Sequence, residues 1–531
     1  MTSYLSRLSP IPGFPEYTGP HKVGTIDVEI PISELDSPSP APDDTISTIQ
    51  YRVFYPCEPQ AKGKSVGWLP SPPRDHIAAY TRFLGAGTTL AEFISYIPRL
   101  LHYISIPVRE NAPLLEPTTS NKRWPVVIFS HGLGGSRNAY SHLVGSLASH
   151  GVIVVAPEHR DGSTPISFIR DIPSSTTSSK KGSVKPGKRS VDYRKLAHTP
   201  SPEVEAGRSA QLKIRLWELG LVHDSLLQLD RGKALTNLDT SSSPLAPFAG
   251  LMDVHEPGKI MFAGHSFGAT TMAQLVKSTF YSPEAESAPK SFEPIFTPSH
   301  NSSISQQITP RTPVVLLDVW CLPLRAASSR WLWEKPFPCY TPGGPGGAGL
   351  LAVESQAFFK WRVHFKATKR LLSPDPTSDA YDYNSRKVAE PHFYYPDSSA
   401  HLSQSDFGVL FPWVTKRVFA AQEPERVMRL NVRAILQLLR SSGAEVSPTS
   451  AADMEVDAAQ ADIKDDKLIF GTKQEIRGWN WLNTDVNDLG DVDDEAEAAA
   501  VKKSDALNGN TEPSDAVMDN EIMKEKTTEK L

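Results

Sequence analysis

One serine in this chain is flanked by glycines in a pattern that could do chemistry. The segment Gly264-His265-Ser266-Phe267-Gly268 follows the apolar run Lys259-Ile260-Met261-Phe262-Ala263 and precedes a helix-like stretch from Ala269 to Lys277. Strand, tight turn and helix in that order lift a serine hydroxyl clear of a sheet edge, where it can attack an ester carbonyl. The glycines let strand and helix backbones pass where a Cβ would clash. The helix offers its first N–H groups to a developing negative charge. The bland alternative is an ordinary glycine-rich turn. A serine hydroxyl is a weak nucleophile, so it needs a base, and the base needs an orienting carboxylate.

The elements that would position those groups can be read along the chain. The segment 51–56 reads as an early strand, and the apolar runs Trp124 to Ser130, Gly151 to Pro157 and Pro313 to Leu317 read as further strands of the series. Tyr140 to His150 reads as a helix, and so does Arg208 to Leu229, with Leu212, Leu216, Leu219, Leu226 and Leu229 along one stripe. Strands alternating with helices predict a mostly parallel sheet flanked by helices. Asp318 ends a strand downstream of the serine and suits the acid. His401 lies in the polar loop Asp397 to Phe407 and suits the base. His392 competes with it but precedes the aromatic cluster Phe393-Tyr394-Tyr395. His364 lies in the alternating, strand-like stretch Phe359, Trp361, Val363, Phe365 and reads as structural. The N–H of Phe267 is one expected donor to an oxyanion. The other is expected from the loop His131-Gly132-Leu133-Gly134-Gly135, where His131 reads as structural.

The 531 residues carry a net charge of −5, unevenly placed. From Ala451 onward there are 21 acidic and 9 basic residues, so the body before it is mildly basic. That charge is too diffuse for nucleic-acid binding. Three cysteines, Cys57, Cys321 and Cys339, fit neither a disulfide framework nor a zinc site, and no metal or cofactor is expected. With no apolar leader and no long apolar run, the expectation is a cytoplasmic protein, soluble or peripherally attached to a membrane. The domain reading is one unit over 1–440 with disordered insertions near 171–202, 282–312 and 336–349. An acidic, largely disordered tail over 441–531 is expected to be dispensable for chemistry. Within it, Leu468 to Leu489 is an aromatic and apolar patch that could dock on the body.

Several segments together resemble the α/β-hydrolase type of platelet-activating factor acetylhydrolase, the group of the plasma and type II intracellular enzymes. They are Phe129-Ser130-His131-Gly132-Leu133-Gly134, Glu158-His159-Arg160-Asp161-Gly162-Ser163, the Ser266 pentapeptide, Leu317-Asp318-Val319-Trp320 with Pro323-Leu324, and His401 with Asp406-Phe407. The resemblance implies an α/β-hydrolase fold with Ser266 as nucleophile, Asp318 as acid and His401 as base. It implies the N–H groups of Leu133 and Phe267 as oxyanion donors. It further implies calcium-independent hydrolysis of acetyl, short or oxidised acyl groups at the second glycerol position of phospholipids. A helical stripe of Leu90, Phe93, Ile94, Ile97, Leu101 and Ile104 would then contact the lipid surface, or else cover the sheet as core. The competing functions are a general carboxylesterase or lipase and a catalytically silent lipid-binding protein. Oligomeric state is not legible in the residues.

Overall fold

The computed structural model describes residues 12–83, 101–172, 187–419, 421–454 and 465–489. Its main sheet contains β1 (Lys22–Pro31), β2 (Thr48–Cys57), β3 (Arg109–Glu110), β4 (Trp124–Ser130) and β5 (Ile153–Pro157). It continues with β6 (Met261–His265), β7 (Val314–Leu317), β8 (Leu350–Val353), β9 (His392–Pro396) and β10 (Trp479–Trp481). The spatial order is β10-β9-β8-β7-β6-β4-β5-β2-β1-β3, with Met252–Asp253 pairing beside β4. From β5 across to β9 all neighbours are parallel. Antiparallel pairs flank that block, β1 with β2 and β2 with β5 on one side, β9 with β10 on the other.

Both faces of the parallel block are apolar, which explains the unbroken hydrophobic runs. Alternate residues point to opposite faces. Val126, Ile128, Phe262, Val314 and Leu316 enter one core, while Val127, Phe129, Met261, Val315 and Leu317 enter the other. Of the helices, α1 is Pro73–Phe83, α2 Ser141–Ser149, α3 Pro202–Asp230, α4 Phe267–Phe280, α5 Arg362–Leu372 and α6 Pro424–Ser441. Helices α3 and α4 supply Leu212, Leu216, Met272 and Leu275 to the first core. Helices α2 and α6 supply Leu143, Leu147, Ile435 and Leu438 to the second. A parallel sheet covered on both faces, with a serine turn at the carboxyl edge of β6, is the α/β-hydrolase fold.

Several expectations need correction. The stretch Phe359 to Phe365 is not a strand. A short helix Gln356–Lys360 and α5 meet at Trp361, whose ψ of 84° breaks the helix. The segments 282–312 and 336–349 are packed, not loose: Ile295, Phe296, Ile304, Phe337 and Cys339 are buried in the first core. Of the basic insertion, 173–186 lies outside the described residues, but Lys188–Asp192 pairs antiparallel with Ile166–Arg170. The tail is not dispensable in its part 465–489, where the apolar patch docks. Its residues 465–489 add β10 to the sheet edge, bury Ile469, Ile476 and Trp479, and bring Asp466 to Arg433 in an ion pair at 2.8 Å. The tail's remaining residues, 455–464 and 490–531, lie outside the described residues.

Only the end of the stripe lies within the described residues. Leu90, Phe93, Ile94 and Ile97 lie outside the described residues. Leu101 and Ile104 are core, not lipid-facing: each is 1% exposed and packs in the cluster of Val66, Trp68 and Tyr80. No helix among the described residues is long and apolar enough to cross a membrane.

Candidate active site

The turn between β6 and α4 places Ser266 at φ 55°, ψ −122°. A non-glycine residue rarely adopts this conformation, and such strain concentrates at functional sites. The flanking glycines have the reason the sequence suggests. A Cβ on Gly264 would lie 2.4 Å from the Gly268 carbonyl carbon, and one on Gly268 2.0 Å from the Ser130 carbonyl oxygen. Backbone atoms cannot yield as a flexible side chain can. Gly268→Ala is therefore expected to lose most activity and several degrees of thermal stability. Gly67→Ala, whose Cβ would meet only Leu69 O at 3.5 Å, should melt like wild type. Thermal unfolding and ester hydrolysis of the two variants check this.

Asp318 follows β7 and also has a positive φ, 42°. Its carboxylate accepts from the Ser355 amide at Oδ1 and from His401 Nδ1–H at Oδ2, 2.9 Å away. That bond assigns the proton to Nδ1 and leaves Nε2 as the basic nitrogen. The His401 ring lies between Phe358, stacked at 4.5 Å and 5°, and His265, at 4.4 Å and 34°. Ser266 is thus next in sequence to the ring that packs on His401. Its amide donates to Leu317 O at 2.9 Å, the carbonyl just before Asp318. One ligand-type atom from each of His265, Asp318 and His401 lies within 4.8 Å of the others. Ser266 Oγ is buried with no hydrogen-bond partner among the described residues, and catalytic hydrogen bonds are often long before substrate binds.

Burial pushes the His401 imidazole down to about 3 and keeps it neutral, the form that can accept a proton. Burial pushes the Asp318 carboxyl up to about 6, opposed by His265 and the Ser355 amide. A raised carboxyl is ionised above that value and protonated below it. Acyl transfer should therefore fall as pH drops through about 6 and stay level on the alkaline side. A pH profile of kcat/KM with its maximum in acid would contradict this assignment.

The loop 131–135 runs beside the serine, where a Cβ on Gly132 would lie 3.0 Å from Ser266 Cβ. Gly132 N–H donates to Tyr140 Oη at 3.1 Å, and Tyr140 Oη–H donates to His265 Nδ1 at 2.8 Å. The loop that holds Leu133 is thereby tied to the residue before the serine. Beneath it lies the segment Glu158 to Ser163. His131 Nδ1–H donates to Gly132 O, and His131 Nε2 accepts from the His159 amide. Gly134 N–H donates to Ser163 O at 2.8 Å. Arg215 of α3, fully buried, donates to His131 O at 2.8 Å, Asp161 Oδ2 at 2.7 Å and Ser163 Oγ at 2.6 Å. Glu218 accepts from His159 Nδ1–H at 3.0 Å. His131 is a structural part of this cradle.

Asp406 links the two halves of the site. It accepts from Trp68 Nε1–H at 2.8 Å, from the Ser141 amide and hydroxyl, and from the His142 amide at 2.9 Å. It thus satisfies the amino end of α2, where Tyr140 provides no side-chain cap. Sequence reading missed Arg215, Glu218 and the role of Asp406. The only local signal for the first two was a polar stripe, Arg208, Gln211, Arg215, Glu218, at helical spacing. His392 is not in the site: it stacks on Phe470 at 3.6 Å, towards the sheet edge. His364 accepts from the Cys321 amide at 3.0 Å and braces the segment after Asp318.

The fold and the serine turn define an α/β-hydrolase. Residues 8–342 match the family described as platelet-activating factor acetylhydrolase, isoform II. The chain belongs to that family. The match contains Ser266 and Asp318 and ends before His401. A relative named "Putative phospholipase A2" in Schizosaccharomyces pombe is 27% identical over 463 residues, covering 81% of this chain and 92% of its own. The platelet-activating factor acetylhydrolase of Cavia porcellus is 28% identical over 263 residues, covering 49% of this chain and 52% of its own. That of Bos taurus is 30% identical over 226 residues, covering 42% and 46%. The chain thus spans about half the length of these two mammalian relatives. Among solved structures, a ferulic acid esterase from Streptomyces cinnamoneus aligns with a TM-score of 0.41 at 13% identity, over 81% of this chain and 92% of its own.

Proposed function

We propose that this protein is a serine esterase that removes the acetyl, or a short or oxidised acyl group, from the second glycerol position of phospholipids. The observation that carries the reading is the bonded Asp318–His401 pair packed against the residue before a strained, buried serine, in a chain of this family. In the proposed first step Ser266 Oγ attacks the ester carbonyl while His401 Nε2 takes its proton. The carbonyl oxygen gains the negative charge and is held by the Leu133 and Phe267 amides, each donor worth roughly 10²–10³-fold in rate. The carbon–oxygen bond to glycerol then breaks, and the lysophospholipid leaves with the proton from His401. Water, deprotonated by His401, hydrolyses the acyl-serine, and the acid departs. Asp318 keeps the imidazole oriented and stabilises its charged form.

These groups supply both proton transfers and the charge stabilisation, so a chelator such as EDTA should leave the rate unchanged. Hydrolysis of phosphatidylcholines that differ only in the second acyl chain, by wild type and Ser266→Ala, tests the assignment. Acetyl and short oxidised chains should be cleaved well, with a gradual fall as methylenes are added, since each changes discrimination by only about 1–3 kcal/mol. Faster cleavage of long-chain phospholipids or triglycerides would favour the lipase reading.

A peripheral contact with the lipid surface through Leu90, Phe93, Ile94 and Ile97 completes the proposal. Phe93→Asp with Ile97→Asp should weaken vesicle binding while sparing a water-soluble ester. Equal loss on both substrates together with a lowered melting temperature would place those side chains in the core.

A further inference from the structure

A carboxyl group that the reaction above does not use lies beside Asp318. Strands β7 and β8 run parallel with Leu317 opposite Val353, so the next residues, Asp318 and Glu354, leave the sheet side by side. Backbone bonds hold them there. The Asp318 amide donates to Val353 O at 2.9 Å, and the Ser355 amide donates to Asp318 Oδ1. The residues before and after Glu354 are thus both bonded to Asp318. The Glu354 amide donates to Tyr394 O at 2.9 Å, which ties it to β9 as well. Both Asp318 and Glu354 are shut off from solvent, each 0% exposed.

Two carboxylates side by side in such a place do not both stay ionised, so one of them holds a proton. The donors decide which. Asp318 receives the Ser355 amide on Oδ1 and His401 Nδ1–H on Oδ2. Neither oxygen of Glu354 receives a hydrogen bond from any described residue. The Thr368 hydroxyl of α5 faces Glu354 and donates to His364 O at 3.4 Å. Burial pushes the Cys321 thiol up to about 12 and keeps it neutral. Arg325 and Lys277 act on Cys321, and neither bonds Glu354. Burial first, and then the Asp318 charge, push the Glu354 carboxyl well above the usual range. As a carboxylate, Glu354 is a buried acceptor with nothing to accept. As an acid it is a donor, and the charged acceptor at hand is Asp318.

We propose that Glu354 is a neutral acid whose O–H donates to the Asp318 carboxylate, which makes it a positioning residue for the Asp318–His401 pair. This role rests on the proposed esterase reading, in which Asp318 stays ionised to orient His401. The donated bond favours the ionised form of Asp318 against the burial that raises its carboxyl, and so extends the working range to lower pH.

The test uses the full-length protein, p-nitrophenyl acetate and two uncharged variants. Glu354→Met removes the donor at similar length, and Glu354→Gln keeps a donor. Loss of a hydrogen bond to the ionised form raises a carboxyl further. In Glu354→Met the acid limb of kcat/KM should therefore move upward from about 6 by about one pH unit. The plateau above it should drop about tenfold, as orientation of His401 is lost. In Glu354→Gln the limb should stay where wild type has it, and most of the rate should return. A wild-type acid limb in folded Glu354→Met, whatever its rate, would overturn the role. So would a Glu354→Gln variant as impaired as Glu354→Met. If Glu354→Met does not fold, infrared spectra decide. Wild type minus Glu354→Gln in mildly alkaline buffer should show the carbonyl stretch of a protonated carboxyl, and its absence would overturn the neutral acid. Hydrolysis that survives Ser266→Ala would instead overturn the esterase reading, and the infrared band would still report the proton on Glu354.

Discussion

His401→Ala should lower kcat/KM for an acetyl ester by about 10³-fold or more, with little change in far-ultraviolet circular dichroism. The ring contributes packing to Phe358 and His265, but in the proposed mechanism its larger part is the transfer of the serine proton. His265 is adjacent, but its Nδ1 accepts from Tyr140. His392→Ala should retain activity, because that ring stacks on Phe470 instead of lying in the site. If His392→Ala is dead and His401→Ala is active, the base has been misassigned.

Truncation after Ser441 should yield an unfolded or aggregated protein, not the near-normal enzyme that the acidic composition suggests. The deletion removes β10 and exposes the edge of β9. It removes the buried side chains of Ile469, Ile476 and Trp479, each worth about 1.5–3 kcal/mol by burial alone. It also strips Asp466 from Arg433, both fully buried, and an uncompensated buried charge costs about 3–5 kcal/mol. Together these losses approach the whole stability of a typical domain, about 5–15 kcal/mol. Truncation after Leu489 keeps every one of these contacts and should leave melting temperature and turnover near wild type. Solubility yields and thermal melts of the two truncations decide the matter. A well-folded protein ending at Ser441 would show that 465–489 does not hold the sheet edge.

What could be read in the residues follows from how local each determinant is. The serine turn is written in five consecutive residues and the elements on either side. The parallel strands are written in apolar runs, and β4 matches the expected bounds Trp124 to Ser130 because both of its faces are buried. That Asp318 and His401 meet was legible because each ends or follows a strand in chain order. The supports were not. Asp406 caps a helix 265 residues upstream, and no local pattern records such a partner. Arg215 and Glu218 sit in the part of the helix, Arg215 to Asp230, in which every residue is buried, so its leucine stripe hid the polar face under the loop 131–135. The alternation at Phe359 to Phe365 imitated a strand because two helices meet there at Trp361. The tail was read as dispensable from its net charge, and the patch Leu468 to Leu489, whose docking the sequence left open, is the part that packs, burying Ile469, Ile476 and Trp479.

The central claim is that Ser266 carries the acyl group. Incubation of the full-length protein with a fluorophosphonate, followed by proteolysis and mass spectrometry, reads that serine directly. A single adduct on the Ser266 peptide is expected, formed more slowly when an acetylated phospholipid is present and absent from folded, inactive Ser266→Ala. An adduct on another serine, with hydrolysis retained by Ser266→Ala, would contradict it.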